Sequence, residues 1–131
     1  MAHETLKGGM MVLTGKRVLV IEDSPLIATA AADILVDLGC IVLGPVGNMA
    51  DARQLCENEM VDAALVDLNI RGTKAFALLK ILSDRQIPFV LTSGYADWSM
   101  PEEWRQSVRV QKPYSFDMVQ LSLTKALMEN S

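Results

Sequence analysis

The chain has a single histidine, His3, near its start. A histidine-based metal site or a catalytic triad is therefore nearly excluded. Cysteine is scarce: Cys40 and Cys56 are the two present, with no Cys-x-x-Cys, and a reduced, cytoplasmic compartment is the simplest reading. There is no run of Lys and Arg, and the formal net charge is -4. Nucleic-acid backbones demand a basic surface, so this balance argues against a nucleic-acid partner. No apolar stretch is long enough to span a bilayer, and no membrane association is expected. The opening MAHETLKGGMMVLTGK lacks the apolar core and cleavage site of a signal peptide.

What is present is a globular composition. Hydrophobic residues make up 50% of the 131 positions and charged residues 21%, which suits one domain with a true core. Residues 1–15 read as a flexible leader, with Met10 or Met11 as alternative starts, and residues 16–131 as the domain. Strand-like and helix-like runs alternate. Arg17–Ile21 is apolar and β-branched. Ser24 suits a helix cap and Pro25 the first helical position. Ile27, Ala31, Ile34, Leu35 and Leu38 then share a helical face until Gly39. Cys40–Leu43 reads as a second strand closed by Gly44-Pro45. Asn48 caps a second helix carrying Met49, Ala52, Leu55 and Cys56. Asp62–Val66 is a third strand, followed by Asp67. Ala75, Leu78, Leu79 and Leu82 mark a third helix, and Ile87–Thr92 a fourth strand. Pro101 interrupts ADWSMPEEW, so a loop to Met100 and a short helix to about Gln106 are expected. Val108–Gln111 is a fifth strand. Ser115 caps a last helix with Val119, Leu123, Ala126 and Leu127 facing inward.

Strands each followed by a helical stretch imply an α/β fold, a doubly wound parallel sheet with about five helices on its two faces. In such a sheet the C-terminal strand ends share one edge, where ligands bind. Glu22 and Asp23 end strand one, Asp67 strand three, Ser93 strand four and Lys112 strand five. Three carboxylates, a hydroxyl and an ammonium thus converge. Like charges held that close repel, and a hard divalent cation resolves the conflict. Mg²⁺ takes carboxylate, water and phosphate oxygens, with Mn²⁺ as the alternative ion. The pattern reads as machinery for metal-dependent phosphoryl transfer. Each piece alone has a plainer reading, as a helix cap or a surface turn; their joint placement carries the inference.

Glu22-Asp23, Asp67 with Asn69, Ser93-Gly94 and Lys112-Pro113 together resemble the signature of the response-regulator receiver domain. The resemblance implies a flavodoxin-like three-layer fold of strand order 2-1-3-4-5. It implies that Asp67 is the phosphoacceptor, taking a phosphoryl group from a sensor histidine kinase or a histidine phosphotransfer protein. Asp23, Asp67 and the Asn69 backbone carbonyl would hold the metal, with Glu22 acting through water. Ser93, Gly94 and Lys112 would bind the phosphate, and Lys112-Pro113 would be a cis peptide. Such a chain is a signalling protein rather than a classical enzyme.

One departure stands out. Many receivers carry Tyr or Phe on strand five, three residues before the Lys; here that residue is Arg109. PFVLTSGY, residues 88–95, partly resembles the motif of the "FAT GUY" receivers, mostly stand-alone proteins of alphaproteobacteria that often partner HWE-type kinases. In that group the segment after strand four is implicated in switching, with Tyr95 or Trp98 as the expected moving part; Tyr95, Trp98, Trp104 and Tyr114 are the expected output surface toward an unknown downstream protein. Rival readings are a pseudo-receiver that never takes phosphate and a receiver cut from a larger protein. A haloacid-dehalogenase-type phosphatase would want Asp-x-Asp where Asp67-Leu68-Asn69 stands. A flavodoxin would need a phosphate loop that Ser24-Pro25 does not supply.

Overall fold

The computed structural model describes residues 12–94 and 100–129. Seven strands and four α-helices appear among them. They are β1 (Arg17–Ile21), α1 (Pro25–Asp37), β2 (Ile41–Val46), α2 (Met49–Asn58), β3 (Ala63–Asp67), β4 (Asn69–Ile70), β5 (Thr73–Lys74), α3 (Phe76–Asp84), β6 (Phe89–Ser93), β7 (Val108–Gln111) and α4 (Phe116–Glu129). The main sheet is parallel, in the order β2-β1-β3-β6-β7. This is the flavodoxin-like order expected, with two short strands added after β3.

Alternation along each strand divides the core into two layers. Leu19, Ile21, Ala64, Val66 and Leu91 face α2 and α3, where Ala52, Cys56, Leu78, Leu79 and Leu82 are fully buried. Val18, Val20, Ala63, Leu65, Val90 and Val110 face α1 and α4, packing on Ala31, Leu35, Val119 and Leu123. β1 and β3 are central and apolar on both faces, as a parallel sheet covered by helices requires.

Several boundaries differ from the sequence reading. The packed region starts before residue 16: Leu13 is fully buried, its carbonyl accepts from the Cys40 thiol, and Gly15 N donates to Gly39 O at 2.8 Å. Strand two does not stop at Leu43 but runs through Gly44-Pro45 to Val46. It is an edge strand, so the N–H that Pro45 lacks is not needed by a further neighbour. Gly44 has φ 85, the Gly44-Pro45 bond is cis, and the pairing with β1 shifts register between Leu19 and Ile21. Ser24 occupies the N-cap position of α1 without a side-chain cap bond, whereas Ser115 Oγ accepts from Met118 N at 3.1 Å. The expected fourth helix is a single 3-10 turn, Glu102–Trp104, after Pro101. A two-residue turn joins β4 to β5, with Arg71 at φ 50 and Gly72 at φ 85. That is the positive-φ hairpin geometry Gly favours.

Candidate functional site

Register assembles the site. Ile21 of β1 pairs with Val66 of β3, so Glu22 comes out beside Asp67. Asp67 pairs with Thr92 of β6, and Ser93 pairs with Gln111 of β7. Lys112 N then donates to Ser93 O at 2.8 Å, which brings the lysine back over Asp67. The Lys112–Pro113 bond is cis.

The lysine side chain is nearly enclosed and serves two acids at once. Its Nζ lies 2.8 Å from Asp67 Oδ2 and 2.5 Å from Glu22 Oε1. Burial alone would lower the lysine pKa, but the bonds to Asp67 and Glu22 outweigh it and hold it above the ordinary value. Glu22 is buried, and that burial pushes its pKa up against the pull of Lys112 and of Ser24 N, which donates to Oε2 at 2.9 Å. Asp67 is buried at the end of β3, where Asn69 N donates to its Oδ1 at 3.0 Å. Asp23 is half-buried, and Arg71 N, from the β4–β5 turn, donates to its Oδ2 at 2.8 Å.

Among the described residues Glu22, Asp23 and Asp67 form an acidic cluster, one carboxylate oxygen of each lying within 4.8 Å of the others. These are hard oxygen donors with negative charge in excess of the one ammonium, and a small divalent cation fits that donor set. The cluster opens on a cavity of about 550 Å³ lined by carboxylate, hydroxyl and lysine together: Asp23, Asp67, Asn69, Ser93, Gly94 and Lys112 all border it.

Ile27, read from sequence as part of a helical core face, also lines this cavity, as do Leu68 and Lys74, which were not singled out from sequence. For Lys74 a signal existed: Asn69-Ile-Arg-Gly-Thr-Lys74 carries a two-residue turn with Gly second, which places Lys74 opposite Asn69. Gly47 was missed as well. A Cβ there would lie 3.2 Å from Asp23 Cα and 3.2 Å from Glu22 O, so a side chain at this position would press on the backbone of the two acids.

Of the four expected output residues, two can be placed. Tyr95 and Trp98 lie outside the described residues. Trp104 is buried, edge-on to Phe89 with centroids 6.0 Å apart. Tyr114 is half-buried, and its hydroxyl donates to Thr92 Oγ1 at 3.1 Å. Burial drives the Tyr114 pKa up to about 12. Arg109 is half-buried on β7, and its guanidinium donates to Arg105 O.

The family model of the response regulator receiver domain matches residues 18–116. SdrG from Sphingomonas melonis Fr1, solved in solution, is 36% identical with a TM-score of 0.78; the match covers 87% of this chain and 97% of SdrG. The response regulator PhyR from Brucella abortus is 27% identical with a TM-score of 0.79; the match covers 96% of this chain but 53% of PhyR, so the chain spans about half of that protein. The receiver domain of the sensor histidine kinase PA1611 from Pseudomonas aeruginosa PAO1, with magnesium in its active-site cleft, shares the fold. It is 20% identical with a TM-score of 0.73, over 88% of this chain and 99% of that domain. No curated protein sequence matches.

Proposed function

The chain belongs to the response regulator receiver domain family, and from that premise we propose that it is a phosphoacceptor whose acceptor is Asp67. Receiver domains are signalling domains that work with histidine kinases and downstream proteins. The finer reading is a stand-alone cytoplasmic receiver, charged by a sensor histidine kinase, of the HWE or a related class, or by a histidine phosphotransfer protein. Its output is contact with a downstream protein or onward relay, with no nucleic acid involved. No helix among the described residues is long and apolar enough to cross a membrane.

The observation that carries the proposal is the shared ammonium. Lys112 holds Asp67 Oδ2 at 2.8 Å and Glu22 at 2.5 Å, at the mouth of a cavity that Ser93 also lines. Phosphoryl transfer is chiefly a matter of position and charge neutralisation. A carboxylate oxygen of Asp67 forms the new O–P bond as the P–N bond of the phosphohistidine breaks. The imidazole keeps the electron pair of that bond and takes up a proton. Lys112 orients Asp67 beforehand and stays within reach of the transferred oxygens. The Ser93 hydroxyl, which lines the same cavity, would donate to one of them.

Asp23, Asp67 and the Asn69 carbonyl would hold Mg²⁺, or Mn²⁺ in its place, with Glu22 contributing through water. When bound, the ion supplies charge neutralisation between the acids and the incoming phosphoryl oxygens. The test is incubation with acetyl phosphate and Mg²⁺, and with the kinases of the source organism, followed by intact mass. A phosphoryl adduct on the wild type that Asp67→Asn abolishes is expected. Absence of an adduct from every donor would instead make the chain an interaction module.

A further inference from the structure

Two lysines line the cavity over Asp67, and the chemistry above employs only one. Lys112 is nearly enclosed and already committed to Asp67 and Glu22. Lys74 is exposed at the cavity wall. Its position is fixed from below. Asn69, whose N–H holds Asp67 Oδ1, is the residue directly opposite Lys74 in the β4–β5 pair. The turn that joins those strands, Arg71–Gly72, is tied to Asp23 through Arg71 N. The hairpin is thus anchored to two acids of the site, and it sets a cation at the rim. Lys74 pairs with no carboxylate among the described residues. By contrast, Lys80 pairs with Asp84 at 3.6 Å and Lys125 with Glu129 at 4.0 Å.

Charge accounting gives this second cation a task. Three carboxylates, one ammonium and one divalent ion sum to zero. Transfer converts the Asp67 carboxylate, a monoanion, into an acyl phosphate dianion, so the site gains one negative charge. Lys112 has no second charge to offer. We propose that the Lys74 ammonium contacts the phosphoryl group on Asp67 and neutralises the charge that the transfer adds. This rests on the reading of Asp67 as the phosphoacceptor. Lys74 then favours the phosphorylated state over the free one, because its partner exists only after transfer. An ammonium on a flexible stem suits this use: it stays solvated until the anion arrives.

The experiment uses the full chain and two probes, Mg²⁺ alone and beryllofluoride with Mg²⁺ as the phosphoryl stand-in, each titrated by calorimetry. Wild type, Lys74→Gln, Lys74→Arg and Lys80→Gln are compared, with circular dichroism to confirm folding. Expected for Lys74→Gln is about a fivefold loss of beryllofluoride affinity, the upper end for an exposed ion contact, with Mg²⁺ affinity not weakened. Lys74→Arg restores most of the loss. Lys80→Gln, which removes the same charge from α3, binds like wild type. Wild-type affinity in Lys74→Gln overturns the proposal, and so does an equal loss in Lys80→Gln, since the effect is then bulk charge. A wild type that binds Mg²⁺ yet neither binds beryllofluoride nor takes phosphate overturns the phosphoacceptor reading itself, and the Lys74 role with it.

Discussion

The two edges of the sheet handle charge in opposite ways. At the N-terminal edge each group shown has its own donor in reach. Arg17 N donates to Asp62 Oδ2 at 2.8 Å, and Arg17 Nε donates to Met60 O at 2.7 Å. The Arg17 guanidinium lies 3.7 Å from Glu59, and Arg85 holds the carbonyls of Cys56 and Glu59 at 2.5 and 2.9 Å. Arg85 thereby satisfies acceptors at the end of α2 that the helix itself leaves open. At the C-terminal edge three carboxylates crowd around one ammonium, and two of the three are buried. The first edge is built to hold the fold. The second keeps negative charge in excess, the kind of local conflict that functional sites concentrate.

The largest effect expected from breaking this contrast is all-or-none. Asp67→Asn removes the proposed nucleophile and should abolish the phosphoryl adduct seen by intact mass. Asp62→Ala, an acid removed from the other edge, should leave the adduct in place. Its cost falls on folding, about 1 kcal/mol for the lost bond to Arg17 N, read by urea denaturation.

Next in size is a backbone test at both edges. Gly47→Ala drives a Cβ to 3.2 Å from Asp23 Cα and Glu22 O, both backbone atoms that must give way. A cost of about 1–3 kcal/mol in denaturant stability and a several-fold loss of Mg²⁺ affinity should appear together. Gly15→Ala has open space around its Cβ but a φ of 78. It should cost about 1–2 kcal/mol of strain and leave Mg²⁺ affinity unchanged. Equal Mg²⁺ losses in both variants would end the distinction between the edges.

These two glycines also mark where the sequence became hard to read. The layered fold followed from alternation and caps, and the acids, Ser93 and Lys112 followed from one rule, that parallel strands end together. What escaped were features with no periodic signal. Gly44-Pro45 looked like a stop, yet an edge strand tolerates it, so β2 runs on to Val46. Leu13 looked like leader, because one buried leucine before a strand carries no pattern. Gly47 matters only through what the pairing of β2 on β1 sets beside it, and that register is a property of the whole sheet; Lys74 had only the local turn signal of Arg71-Gly72, which says where it sits but not what it faces.

A smaller effect should change sign between the edges. Asp23 is held by a backbone N–H and meets two neighbouring acids without a cation of its own among the described residues. Asp23→Asn should therefore raise metal-free stability, by about 1 kcal/mol from relieved repulsion, while weakening Mg²⁺ binding. Asp62→Ala lowers stability. If both variants destabilise in metal-free urea titrations, the excess charge of the C-terminal edge is not a strain on the fold.

The smallest effect is a titration, and it compares how each edge treats a buried acid of high pKa. Near the N-terminal edge, burial drives the Cys56 thiol up to about 11, with the Arg85 charge opposing it. Near the C-terminal edge, burial drives Tyr114 up to about 12, and the charges of Glu22 and Asp67 add to the rise while Thr92 and Lys112 oppose it. The chain has two tyrosines, so Tyr95→Phe leaves Tyr114 as the only phenol, and its ultraviolet absorbance reports it alone. The unfolded tyrosine ionises near pH 10. Between about 10 and 12 the folded state therefore binds more protons than the unfolded one, and stability falls as pH rises. The contribution is whole below about pH 10 and lost as pH passes about 12. Adding Asp67→Asn removes one of the neighbouring negative charges, so the phenolate should appear at a lower pH than with Asp67 intact. A Tyr114 titration unmoved by that change would mean the charge of this edge does not reach as far as β6 and Thr92.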